Sequence, residues 1–426
     1  MPGRRKVVIT GAGLVSPLGT SLPEFWRRLE AGESGVAPLA RFDSRRFSCR
    51  LAAEVNPNSY RISPGPYTQE IKRAGKFVHY AVVAAQDALC DGGIDVAAEE
   101  PETSALFLGV STGGLDEMES AILRQEAKGP GKISPFQITS MLPNMAASLI
   151  ALRYGFKGPQ YTISGACASG CQALGQAFHG IRNGQFTWAL AGGTDGVLTP
   201  ISFSSFQAMH MLSPGDNAAA TPRPFDSASN GIVLGEGAAV FVLEESSRAE
   251  DRGARIYGEL TGYGTCSGGE RIALQSTCDL IRCIQHTLKD ACLELKDIDC
   301  VYAQAAGIKL GDESELEALQ ILFGANETCP LITSIKGHIG HTFAASAPLN
   351  LAAAAGALTR QRVSRTLNLT SVCPKYAGLN LEPNGDLHNV RNCLINTYGF
   401  GGVNASLVVS RHKEDRSQAP VTRYLD

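Results

Sequence analysis

The sequence predicts a layered α/β protein with a duplicated core, and three observations carry that reading. Short apolar runs without alternating polar residues recur along the chain (KVVIT, ALFLGV, TWALA, CLINT), the pattern of strands buried on both faces. Segments with helical spacing separate them, as in α/β architectures. From about Arg255 the order of strand, helix and reactive loop begins again, without a strong residue repeat. Buried strands alternating with helices lead to an expectation of mostly parallel sheets.

The elements follow in order. Lys6–Thr10 reads as a buried strand, and Gly11, Gly13 and Ser16–Gly19 turn the chain. GAGLVSPLG is Gly-rich after a strand, but it lacks the GxGxxG register and a following Lys-Ser/Thr, which argues against a nucleotide loop. Leu22–Gly32 is an amphipathic helix, and Pro38–Tyr67 is polar and irregular. Arg73–Cys90 is a helix with Phe77, Ala81, Val82, Ala85 and Leu89 inward. Ala105–Val110 is a strand, Leu142–Tyr154 a helix, and Tyr161–Ile163 a short strand ahead of the helix carrying Ala173, Leu174, Ala177 and Ile181. Thr187–Ala191 and Ala238–Leu243 complete the strands of the first half. In the second half Tyr257–Gly264, Val301–Ala306, Leu331–Ser334, Cys393–Thr397 and Ala405–Val409 read as strands. Cys278–Leu295, Glu313–Leu322 and the Ala-rich Leu349–Leu358 read as helices. The halves are set at 1–254 and 255–412, and 413–426 is a polar, loose tail.

Composition narrows the function. Of 426 residues 44% are hydrophobic and the formal charge is -3, so neither a nucleic-acid partner nor a polybasic membrane contact is expected. No apolar stretch reaches the length of a membrane span, and Val7–Thr10 is too short for a signal peptide core. The 12 cysteines form no CxxC pair, so no metal site is expected and the thiols read as reduced, in a cytoplasmic protein.

The reactive candidates lie on loops after buried strands. In GPQYTISGACASG, Cys167 sits among small residues on a turn from strand to helix. A thiol near a helix start feels positive potential, which favours thiolate; the competing reading is a buried structural thiol. His341 in GHIGH, Lys336 before it, and Gln304 on its own loop supply partners, and Cys with a distant His suits a covalent thioester. The backbone N–H groups of Cys167 and of Gly399-Phe400-Gly401-Gly402 can form an oxyanion hole, against the plainer reading of a Gly-rich hairpin. His338 shares the loop and is the weaker candidate; the remaining histidines (His79, His179, His210, His286, His388, His412) have no such context and read as structural or solvated.

These residues carry a resemblance. VVITGAGLVSPLG, the Cys167 motif, AGGTD, RPFDSASNGIVLGEGAAVFVLEE, GDESELEAL, SIKGHIGH and YGFGGVNA together resemble the β-ketoacyl-acyl-carrier-protein synthases, ketosynthases of the thiolase-like superfamily. The resemblance implies a duplicated five-layer αβαβα fold, usually dimeric, acting on acyl chains held by phosphopantetheine of acyl carrier protein, with no separate cofactor. By that resemblance Cys167 accepts the acyl group and His341 stabilises the oxyanion formed on malonyl decarboxylation. Lys336 and Glu315 support the second His position, and Phe400 is a gate. Met141, Phe203, Phe206 and Met209 are candidates for the acyl tunnel.

The chain departs from the family pattern in one cluster. Gln304 stands where the family has its first catalytic His, Ala306 and Ile308 where it has two Thr, and Val403 where it has a third. Gln has an amide donor but no acid–base capacity near neutral pH. AQAAG, APLNLA and LTSVCPKYAGLNL are similar to chain-length-factor subunits, the partners of ketosynthases in type II polyketide systems. Two readings follow: a condensing enzyme, alone or paired with a second ketosynthase-like subunit, or a chain-length-factor-like partner with little activity of its own.

Overall fold

The computed structural model describes residues 4–324, 329–381 and 389–412; the 413–426 tail and His388 lie outside them. Ten strands form one continuous sheet system. They are β1 Val7–Val15, β2 Ser104–Val110, β3 Gln160–Ile163, β4 Trp188–Asp195, β5 Gly237–Glu245, β6 Gly258–Ser267, β7 Cys300–Tyr302, β8 Leu331–Thr333, β9 Asn392–Gly399 and β10 Val403–Ser410. Their spatial order is β8-β7-β9-β10-β6-β1-β5-β4-β2-β3. Counted outward from the β1–β6 seam, each strand has its counterpart five strands later, so the order is that of a duplicated unit.

Direction differs from the sequence expectation. In each half three strands are parallel, β3-β2-β4 and β8-β7-β9. The next two run antiparallel: β5 against β4 and β1, β10 against β9 and β6. The halves meet through antiparallel β1 and β6, Val7 opposite Leu260. The sheets are mixed because a strand buried on both faces shows the same apolar run whichever way it points.

Helices make the other layers. The longer ones are α1 Leu22–Glu30, α2 Lys76–Asp91, α3 Leu115–Lys128, α4 Met145–Tyr154, α5 Ser169–Arg182, α6 Pro200–Ala208, α7 Thr277–Ala291, α8 Lys309–Phe323 and α9 Ser346–Arg360. Packed together, α5 and α9 lie between the half-sheets and contact strands of both, whereas α2 and α4 cover one outer face and α7 and α8 the other. The result is five layers. The central layer tolerates close approach because its helices are built from small residues: Leu349 to Leu358 is buried on every side. Trp26 of α1 caps it, its indole N–H donating to the Ala352 carbonyl at 2.7 Å. Each fully buried Phe or Leu of this core, such as Phe178 or Leu174, contributes about 1.5–3 kcal/mol. Two helices, α3 and α6, have no counterpart in the sequence reading.

Candidate active site

Cys167 lies between β3 and α5, where Ala166 takes a left-handed φ of 50°. That sharp elbow is held by Ser169, whose hydroxyl donates to the Ala166 carbonyl at 2.5 Å and accepts from the Gly165 N–H at 2.9 Å. Its thiol Sγ is 3.1 Å from His341 Nε2. The imidazole is fixed from several sides. Its backbone N–H donates to the Val233 carbonyl, its carbonyl accepts from Gly235, and the Phe343 ring stacks on it at 4.6 Å. Nδ1 lies 3.4 Å from Ser346 Oγ at the start of α9. With Nε2 accepting the thiol proton, Nδ1 carries the ring hydrogen and donates it to Ser346.

Burial governs the ionisation of this pair. The Cys167 thiol is pushed up to about 12, mainly by desolvation and further by Asp195, against a lowering by the Lys336 cation. His341 is held well below its ordinary value by burial and by Lys336. The resting pair is therefore neutral thiol and neutral imidazole, not the thiolate that a helix start alone favours; loss of water outweighs the helix end. Nε2 is placed to take the proton if the thiol ionises.

Lys336, Gln304 and Glu315 form a second cluster. Lys336 Nζ donates to Gln304 Oε1 at 3.2 Å, and Gln304 Nε2 donates to the Tyr398 carbonyl at 3.2 Å. Glu315 accepts from the Gln304 and Ala305 N–H groups at 3.2 and 2.9 Å and from Asn396 Nδ2 at 3.3 Å. Asp312 accepts from the N–H groups of Phe225, Ala306 and Gly307, each at 3.0 Å. Desolvation lowers Lys336 to about 8 and raises Glu315 to about 7. The two carboxylates thus hold the Gln304 loop by its backbone, while Lys336 orients the Gln304 side chain.

Gly399 brings the hairpin turn against the elbow: a Cβ built there would lie 3.2 Å from the Cys167 backbone nitrogen. Phe400 follows it, its ring 6.4 Å from that of Phe206. Phe206 packs against the apolar cluster that contains Cys167, Phe203, Ala306 and Phe343. The other two tunnel candidates sit at helix ends. Met141 ends the short helix Gln137–Met141, its backbone against Gly113 and Gly114, and Met209 caps α6 with 45% of its surface exposed. Asp195, Phe343 and Ser346 gained no role from the sequence. The one signal was a carboxylate closing the buried run of β4.

A cysteine on a tight strand-to-helix turn and an imidazole beside it, in a duplicated αβαβα core, define a thiolase-like protein. The chain belongs to the beta-ketoacyl synthase family: the family's N-terminal domain matches residues 4–249 and its C-terminal domain residues 257–370. It is 32% identical over 414 residues to a 3-oxoacyl-[acyl-carrier-protein] synthase 2 of Synechocystis sp., covering 96% of this chain and 99% of that one. It is 30% identical over 415 residues to the Staphylococcus aureus protein of the same name, with the same coverage. Among solved structures it is similar to the ishigamide ketosynthase/chain length factor (TM-score 0.88, 29% identity, 96% of this chain and 100% of that chain). It is also similar to a type II PKS acyl-carrier protein in complex with its ketosynthase bound to the hexaketide (TM-score 0.87, 27% identity, the same coverage). Among the described residues no helix is long and apolar enough to cross a membrane.

Proposed function

We propose that this protein is a condensing enzyme. It joins an acyl group held on Cys167 to a malonyl-type extender on acyl carrier protein, in fatty-acid or type II polyketide-like biosynthesis. The observation that carries the reading is the buried Cys167 Sγ–His341 Nε2 pair at 3.1 Å. Sγ attacks the thioester carbonyl of the incoming acyl chain as its proton passes to Nε2. The tetrahedral oxyanion is received by the backbone N–H groups of Cys167 and Phe400, where losing one donor costs about 2.7–4 kcal/mol of barrier. Collapse leaves the acyl group on sulfur and returns the proton to the departing carrier thiol. The malonyl extender then loses CO2, and the enolate oxygen is held by the remaining Gln304 N–H and by His341 in the tautomer that carries its hydrogen on Nε2 and accepts at Nδ1 from Ser346 Oγ; the α-carbon attacks the acyl-Cys167 carbonyl and expels the Cys167 thiolate, which takes a proton from solvent.

The substrates arrive on phosphopantetheine, and no separate cofactor enters any step. The reaction is placed in the cytoplasm, in keeping with twelve unpaired cysteines. The halves 1–254 and 255–412 contribute the nucleophile and the Gln304–Lys336–His341 set respectively. The protein works as a dimer, with itself or with a second ketosynthase-like subunit. One observation favours the chain-length-factor-like alternative: Gln304 is engaged by Lys336 and Tyr398 at both ends. Mass spectrometry of carrier-bound products, after mixing the protein with acyl- and malonyl-loaded carrier proteins, decides between them. A chain extended by the protein alone supports the enzyme, whereas extension only beside a second ketosynthase, and undiminished by Cys167→Ala, supports the partner role.

A further inference from the structure

We propose that Asp195 is a positioning residue for the Cys167–His341 pair, acting through the Ala344 backbone N–H and the turn that carries His341. Asp195 closes β4 and is fully buried. Its carboxylate draws together loops that are remote in sequence. Oδ2 accepts from the Ser111 hydroxyl at 2.6 Å and the Ala344 N–H at 2.8 Å. Oδ1 accepts from the N–H groups of Ser111 and Thr112 at 3.2 and 3.4 Å. These donors are three backbone amides and a hydroxyl, with no cation among them. A buried carboxylate without an ion pair is costly, and the core would be cheaper to build around an apolar residue. Its value lies in what it holds.

What it holds is the turn after His341. The Ala344 carbonyl is wedged from the other side: a Cβ built at Gly170 of α5 would lie 2.1 Å from it, and one at Gly193 of β4 2.3 Å from it. With N–H and C=O both fixed, Ala344 sets the register between the nucleophile's helix and the His341 loop. Phe343, between them, takes a left-handed φ of 49° and lays its ring on the imidazole at 4.6 Å. Freeing Ala344 therefore frees the ring that orients His341, and a displacement of 1 Å at a reacting pair can cost a hundredfold in rate.

This inference rests on the condensing-enzyme reading for its kinetics but not for its geometry, and the test uses both. In Asp195→Ala both oxygens are gone, so the Ala344 N–H loses its acceptor together with the Ser111 and Thr112 amides. A crystal structure of that variant is expected to show the Sγ–Nε2 separation lengthened by about 1 Å; a pair still at the parental separation overturns the proposal. Cys167 acylation by an acyl-loaded carrier is expected to slow about tenfold to a hundredfold, with KM for the carrier within about twofold of the parent. In a His341→Ala background the same substitution is expected to add less than about twofold, because effects acting through one residue do not add. Losses that multiply would mean that Asp195 acts independently of His341, against the proposal. If Asp195→Ala does not fold, Ser111→Ala is expected to give a smaller loss with the same dependence on His341, and no such dependence counts against it. If no carrier acylates the parent, the functional reading fails, and the crystal comparison alone decides the positioning role.

Discussion

Replacing Gln304 by His restores an imidazole to the one position where the site departs most from its family, and the structure sets the size of the effect. Gln304 Oε1 accepts from Lys336 Nζ and Nε2 donates to the Tyr398 carbonyl, which leaves one amide N–H for an enolate oxygen. In Gln304→His one ring nitrogen accepts from Lys336, so the other carries its hydrogen toward the substrate. The variant gives up the Tyr398 bond, worth about 1 kcal/mol, close to a factor of five in rate. It gains a group able to donate and exchange a proton, worth typically 10²–10⁴-fold. The net expectation is malonyl decarboxylation faster by about twentyfold to two-thousandfold. Cys167 acylation should stay within about twofold, because the thiol's partner is His341. CO2 release from malonyl-loaded carrier, measured beside the acyl mass on the intact protein, reads both steps. Decarboxylation that is unchanged, or that falls together with acylation, refutes the role given to Gln304.

Three further outcomes follow from the same contacts. The Lys336 cation lowers the Cys167 thiol while Asp195 raises it and His341 Nε2 accepts from it. Lys336→Met should therefore slow iodoacetamide alkylation of Cys167 at pH 7, and the deficit should shrink above about pH 8, where the parent's Lys336 loses its own proton; equal or faster alkylation contradicts this. Glu244 is fully buried and accepts from Arg248, Arg252 and Thr10, so Glu244→Gln should cost about 3 kcal/mol, the lower end for breaking a buried pair, in urea unfolding. A Cβ at Gly175 would lie 2.3 Å from Tyr263 Cδ2, so Gly175→Ala should cost about 1–3 kcal/mol by overpacking despite its better helix propensity, seen as a lowered Tm.

What the sequence made legible was local. Cys167 among small residues between a strand and a helix, and His341 between glycines, are readable because tight turns impose their own residue types. The unread parts depend on contacts across the fold. The antiparallel return of β5 and β10 leaves no mark on strands buried on both faces. The protonated state of Cys167 follows from burial beneath Phe343 and Ala306, residues far from it in the chain. Asp195 joins Ser111 to Ala344, 84 and 149 residues away, and nothing adjacent to it in sequence announces either partner. The helix α3 escaped because its exposed face carries Ile122 and Leu123, which blurs the amphipathic pattern expected of a surface helix.

The central claim is that Cys167 is a working nucleophile, and its most direct test is the mass of the intact protein after mixing with a panel of acyl-loaded carrier proteins. The account predicts one added acyl group on the parent and none on Cys167→Ala. No acyl mass from any donor, with or without a ketosynthase partner, would contradict it and leave the chain as a partner subunit.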